Sequence, residues 1–238
     1  MTRGPTAARL QWLDLLRSLA ILGMVVYHSA YDLQFFYEWN LNVTTGVWKI
    51  FQVCVASLFL AASGISAAFW TRSGNAFSKG WNRGWFILSA AMLVSLVTAI
   101  IDPNTWVRFG ILHLIALSAF LLPFLRRLPP AIIAVLGVAC IALLPLDLMP
   151  HIVSVDYVPP IPWLGPVLLG FAMGIPLAER TARNERHNHM DRSPEPFDNA
   201  QGRRLLECLL WPGRHSLWIY LVHQPVILAV LWLVLPHP

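Results

Sequence analysis

The sequence predicts an all-α, polytopic membrane protein, and three observations point that way. Of 238 residues, 57% are hydrophobic and only 12% are charged, about half the charged share of a soluble domain. Seven apolar segments reach or approach the length needed to cross a bilayer, which is about 20 residues for a helix. Of the 17 Lys and Arg residues, 14 fall on one side of those segments, as cytoplasmic loops require. The 11 Trp and 18 Pro fit the same class, because Trp favours membrane interfaces and Pro is tolerated in spans.

The segments are 12–36, 48–70, 84–101, 107–125, 130–148, 161–178 and 215–235. The first follows Arg3 and Arg9 and is expected to be a retained first helix and not a signal peptide, since it runs too far, carries Asp14 and Arg17 early, and precedes further spans. In the second, Ser57, Ser63, Gly64 and Ser66 form a small-residue region suited to close helix approach. RRLPP at 126–130 joins the fourth and fifth as a tight helical hairpin. Pro and Gly interrupt the sixth, PWLGPVLLGFAMGIPLA, which is expected to be the least regular helix and to pack through its small residues. Before the seventh, LLECLLW at 205–211 is apolar, and WPG at 211–213 marks a break. A short interfacial turn is expected at 205–211.

Charge sets the orientation. Arg3 and Arg9, then Arg72, Lys79 and Arg83, then Arg126 and Arg127 lie on one side, together with Arg180, Arg183, Arg186, Arg192, Arg203, Arg204 and Arg214. Lys49 and Arg108 lie on the other, and Arg17 sits within the first helix. The positive-inside rule then gives a cytoplasmic N-terminus, seven spans and an outside C-terminus. Residues 1–238 read as one integral membrane domain, with a cytoplasmic polar loop at 179–204. Within that loop the HNH triplet at 187–189 lacks the surrounding elements of a nuclease or metal motif and reads as solvated. The net charge of +5 comes from topology signals, so no nucleic-acid partner is expected. Cys54, Cys140 and Cys208 have no metal-type spacing and read as buried small hydrophobes. No metal is expected.

Ionisable groups at membrane depth are costly and mark sites or pathways by default. His28 and Asp32 are four residues apart and share a helix face. At 1.5 Å per residue they lie roughly 24 and roughly 30 Å along the first span, in its outer half. An imidazole held by a carboxylate would be an oriented proton acceptor, whereas a capping Asp32 and a packing His28 are the plain alternative. His113 is expected about 9 Å from the outer end of the fourth span, at matching depth. It reads either as a second catalytic group or as a satisfied packing histidine. His223 is expected deeper, in the inner half or near the middle, followed by Gln224 and Pro225. Asp14 and Arg17 are placed to pair near the cytoplasmic end. Arg17 could instead hold an entering phosphate or simply snorkel to the interface, and Arg214 and His215 could reach phosphates or lipid headgroups or simply anchor the helix.

WLDLLRSLAILGMVVYHSAYDL, SLFLAASGISAAF, VRFGILHLIALS, PWLGPVLLG and GRHSLWIYLVHQPV occur in that order. Together they resemble the bacterial branch of the heparan-alpha-glucosaminide N-acetyltransferase catalytic-domain family, over nearly the whole chain. The resemblance implies an integral membrane acyltransferase. Characterised eukaryotic relatives move an acetyl group from cytosolic acetyl-CoA to the glucosamine amine of heparan sulfate in the lysosomal lumen. Family positions carry over to Asp14, Arg17, His28, Asp32, Gly64, Gly110, His113, Gly213, Ser216, Tyr220 and His223. Two departures stand out. Arg17 is followed by Ser18 where the family usually has Gly. No histidine lies between His28 and His113, so the eukaryotic catalytic histidine has no counterpart here.

The expectation is transfer of an acetyl or other acyl group from a cytoplasmic acyl-CoA to an amino-sugar or glycan acceptor, in the bacterial cytoplasmic (inner) membrane. His28, Asp32 and His113 are the expected catalytic residues. Arg17, Arg214, His215 and His223 are the expected donor-binding residues. The lipid bilayer is the surrounding partner, and the small-residue helix faces are as consistent with a homo-oligomer as with internal packing. The rival classes are a proton-coupled transporter or permease using the same histidines and a non-enzymatic membrane scaffold.

Overall fold

The computed structural model describes residues 11–72, 74–144, 154, 156–188 and 200–235. Arg3, Arg9, residues 145–148 of the fifth segment, His189 and Arg192 lie outside the described residues. The described elements are helical: α1 Gln11–Tyr37, α2 Gly46–Trp70, α3 Ala76–Ile101, α4 Ile111–Leu125, α5 Pro130–Ala142, α6 Pro160–Asn188, α7 Ala200–Arg214 and α8 Ser216–Val234. Among them α1, α2, α3, α6 and α8 are long and apolar enough to cross a membrane, while α4 and α5 are shorter apolar helices. The chain is therefore an all-α, polytopic membrane protein.

The differences from expectation have local causes. α3 begins eight residues before residue 84 and takes in Lys79 and Arg83, because long basic side chains extend along an apolar helix toward water. α4 starts only at Ile111, since Phe109 bridges to Tyr157 in extended conformation. Its 15 residues span roughly 22 Å, and the 13 of α5 roughly 20 Å, both short of a hydrocarbon core of about 30 Å. α6 deviates from helical geometry at Ile161 (φ −103°, ψ 123°) and then runs through Pro166 and Pro176. It continues to Asn188, ten residues past the expected end at 178. α7 runs through WPG; the break falls at His215 (φ −107°, ψ 24°). Cys54 and Cys208 are exposed and Cys140 is partly so, so these thiols are not the buried small hydrophobes expected.

The chain divides into two compact units, one of Met1–Phe59 with Glu195–Pro238 and one of Leu60–Pro194. In the second, α2 and α6 meet through small residues. A side chain at Gly64 would run into the backbone of Val167 and Phe171, and one at Gly170 into Ala61. The small-residue face expected on the second segment is thus a packing surface, where contact at van der Waals range replaces the hydrophobic drive that lipid removes. Leu60, Val167 and Phe171 are fully buried beside it.

In the first unit, α1 packs against α7, α8 and the first half of α2. Gly213 lies on the α1 backbone at Asp14, closer than any side chain would permit, and its N–H donates to Ser18 Oγ at 2.8 Å. Ser18, which follows Arg17, is therefore the acceptor that fastens α7 to α1. Gln34 closes the far end of α1, where its Oε1 accepts from Val43 N–H at 2.7 Å.

Candidate functional site

The Gly213–Ser18 contact sets the register of α8 on α1. From it both segments run ten residues further, from Ser18 to His28 and from Gly213 to His223, or about 15 Å if helical throughout. The two imidazoles arrive side by side, with ring centroids 5.0 Å apart and planes at 63°. The expectation that His223 lies deeper than His28 is thereby corrected. α8 begins well along α1 and not level with its start, so equal depth is reached after fewer residues of α8. The two helices run in the same direction.

Asp32 is buried, at 1% exposure. Its carboxylate is held by Gln224, whose Nε2 lies 2.8 and 2.9 Å from the two oxygens. His28 and Asp32 share the face that meets α8, as their spacing predicts, but among the described residues no hydrogen bond joins them. Each has its own neighbour on α8: His223 for His28 and Gln224 for Asp32. Gln224 is the residue that sequence reasoning passed over. Its signal was a primary amide at membrane depth beside His223 and Pro225, where a polar side chain needs a partner.

His223 Nδ1 lies 2.6 Å from the carbonyl oxygen of Tyr220. A carbonyl only accepts, so Nδ1 carries the hydrogen and the neutral ring presents Nε2 as an acceptor. That Nε2 is buried and, with Gln224 Oε1, has no hydrogen-bond partner among the described residues. Tyr220 stacks on Phe59 of α2 at 6.5 Å, which supports the α8 turn carrying His223.

Nearer the start of α1, Asp14 is shared by two guanidinium groups. Arg17 Nη1 lies 3.5 Å from one carboxylate oxygen, and Arg214 Nε 3.6 Å from the other. The pairing expected within α1 is present, and α7 adds the second cation. Arg214 also ends α7, where a cation favours the helix dipole. His215 is exposed, lies tilted at 31° against the Trp211 ring with centroids 4.8 Å apart, and donates from Nδ1 to the Trp211 carbonyl at 3.0 Å.

His113 belongs to the other unit and is 7% exposed. Its Nδ1 accepts from Gly110 N–H at 3.2 Å, closing the first turn of α4. Its Nε2 lies 3.4 Å from Ser95 Oγ, which itself donates to the Val107 carbonyl at 2.6 Å. Nε2–H is therefore the donor to Ser95, and both ring nitrogens are engaged around the α4 start. The loop before it is held by Asp102, which accepts from the Thr105 hydroxyl at 2.5 Å and from Asn104 N–H at 2.9 Å. The Thr105 hydroxyl, with that backbone N–H behind it, keeps the Asp102 carboxyl below the usual carboxylate range. Replacing His113 by Ala is expected to lower stability by about 1 kcal/mol, the size of a lost cap. Thermal unfolding in detergent checks it.

Among the described residues, no group of three or more His, Cys, Asp or Glu is arranged to hold a metal ion. A cavity of about 280 Å³ is lined by Phe77, Ser78, Trp81, Phe120, Pro123 and Phe124, none of them an expected site residue. The chain matches no curated protein and no solved structure at a significant level. The sequence profile of the heparan-alpha-glucosaminide N-acetyltransferase catalytic domain, however, matches residues 9–225. That stretch holds both the imidazole pair and the Asp14–Arg17–Arg214 trio, and the chain belongs to this family.

Proposed function

We propose that the protein transfers an acetyl or other acyl group from a cytoplasmic acyl-CoA to an amine or hydroxyl on an envelope sugar or glycan. The observation that carries this reading is the His28–His223 imidazole pair, set beside the Asp32–Gln224 lock in a chain of an acyltransferase family. In this reading the N-terminus is cytoplasmic and the membrane is the bacterial inner membrane.

Acyl transfer from a thioester needs three things: a hold on the donor, a proton acceptor for the nucleophile, and a donor to the oxyanion. Arg17 and Arg214 supply the first, since a guanidinium fork matches phosphate oxygens, with His215 beside them. From Arg17 to His28 is eleven residues, roughly 16 Å along α1, which the extended pantetheine arm covers. At the imidazole pair one ring takes the proton of the nucleophile and the other donates to the carbonyl oxygen as it gains charge. Neutral histidine suits both tasks. His113 keeps its place under the α4 start.

Titration calorimetry of the full chain in nanodiscs tests the donor site. Acetyl-CoA is expected to bind, about tenfold more weakly in Arg17→Ala and again in Arg17→Ala/Arg214→Ala, the size of one charge-assisted contact each. The affinity is expected to fall as salt rises. Equal affinity of wild type and double variant would remove the arginines from the donor site.

A further inference from the structure

Two buried acceptors at the end of the α1–α8 contact have no partner among the described residues: His223 Nε2 and Gln224 Oε1. Their character follows from their neighbours. The Tyr220 carbonyl obliges His223 to place its hydrogen on Nδ1, so Nε2 holds a lone pair. The Asp32 carboxylate obliges Gln224 to present Nε2 to it, because two oxygens facing a carboxylate would repel. The amide cannot turn over without losing both contacts, and Oε1 is left as an acceptor. A buried acceptor without a donor is costly. Two such acceptors on consecutive residues, beside a second imidazole, call for hydrogen-bond donors that the described residues do not supply.

We propose that His223 Nε2 is the proton acceptor for the attacking nucleophile, and that Gln224 Oε1, fixed by Asp32, is the second acceptor that selects a primary amine over a hydroxyl. The assignment rests on the acyltransferase reading above and moves His223 from the donor arm to the chemistry. A primary amine has two N–H groups and one lone pair. One N–H faces His223 Nε2, the other faces Gln224 Oε1, and the lone pair is left for the thioester carbon. A hydroxyl has one hydrogen and satisfies one acceptor only, leaving the other buried and unpaired. In the transfer, nitrogen forms a bond to the thioester carbonyl carbon and the C–S bond breaks. The amine proton passes to His223 Nε2 and then to the departing thiolate, so an amide and a free thiol result and His223 is restored. Gln224 touches the nucleophile; Asp32 acts through Gln224 and is a positioning residue.

Three forms of the full chain in nanodiscs test this: wild type, His223→Asn and Gln224→Met. Acetyl-CoA is the donor, glucosamine and glucose are the paired amine and hydroxyl acceptors, and thiol release is the readout. Asn keeps a donor near the Tyr220 carbonyl and removes the Nε2 acceptor. It is expected to lower kcat about 100-fold or more with little change in acceptor KM, and added imidazole is expected to restore part of the rate. Met keeps the length of Gln and removes its oxygen. It is expected to raise the amine KM about tenfold, as loss of one buried hydrogen bond does, and to bring the amine-to-hydroxyl ratio of kcat/KM toward one. Acetyl-CoA affinity, measured separately, is expected to be the same in all three, which also reports folding. Wild-type turnover with an undiminished kcat in His223→Asn, or an unchanged amine-to-hydroxyl ratio in Gln224→Met, would overturn the assignment and leave the acyltransferase reading standing. A wild-type protein that neither binds acetyl-CoA nor releases thiol with either acceptor would overturn both.

Discussion

Replacing His28 by alanine is expected to lower acyl transfer about 100-fold to 1,000-fold, the loss seen when one preorganised oxyanion donor is removed. His28 stands 5.0 Å from His223, centroid to centroid. With His223 Nε2 receiving the proton of the nucleophile, the second ring is the group placed to donate to the carbonyl oxygen. Acetyl-CoA affinity should be almost unchanged, because the phosphates are held at Arg17 and Arg214, and a loss confined to the transition state lowers kcat and kcat/KM equally. His28→Gln keeps an N–H and should retain more activity than His28→Ala. Steady-state kinetics beside a binding isotherm separates these outcomes. An alanine variant with full kcat would remove His28 from the chemistry.

Asp32→Ala is expected to be the most destabilising change in the α1–α8 contact. The carboxylate is buried at 1% exposure and receives the Gln224 amide through both oxygens. Removing it leaves a buried amide without its acceptor, at a cost of about 1–3 kcal/mol by soluble-protein experience. Interhelical hydrogen bonds in membranes average nearer about 0.6 kcal/mol and reach about 1.7. A charged acceptor belongs at the upper end of that range, so about 1–2 kcal/mol is expected. The same substitution frees the Gln224 amide to rotate, so amine selectivity should fall with it. A double-mutant cycle of Asp32→Ala and Gln224→Ala, read by unfolding in detergent, should show a coupling of that size. Strictly additive losses would mean that the two side chains do not act together.

Much of this protein is legible in its sequence because lipid imposes simple demands. Apolar runs bounded by charge placed α1, α2 and α8 to within two residues. The Ser and Gly residues of the second segment announced its close approach to α6. The same rules failed at α3, where Lys79 and Arg83 looked like a loop yet sit on the helix, since hydropathy alone does not register snorkelling side chains. Periodicity put His28 and Asp32 on one face, and they share it. What periodicity cannot show is the partner across the interface, which depends on register between α1 and α8. That register is set by Gly213 lying on Asp14 and bonding to Ser18, a contact 195 residues apart in the chain. Spacing from the helix starts therefore put His223 at the wrong depth, and Gln224 appeared only as the neighbour of a proline. His113 carried two readings that no sequence pattern separates, because its contacts with Gly110 and Ser95 depend on how the 102–110 loop folds back and leave no mark in spacing.

The central claim is acyl transfer at the His28–His223 pair, and turnover by the purified chain tests it most directly. Protein in nanodiscs would be given acetyl-CoA with a panel of amino sugars and envelope glycans, and thiol release and acylated product would be measured together. The expected result is thiol release that needs an acceptor, matches acylated product mole for mole, and is lost in His28→Ala and His223→Asn while both variants still bind acetyl-CoA. Thiol release that is independent of any acceptor, or that persists unchanged in both variants, would contradict the account.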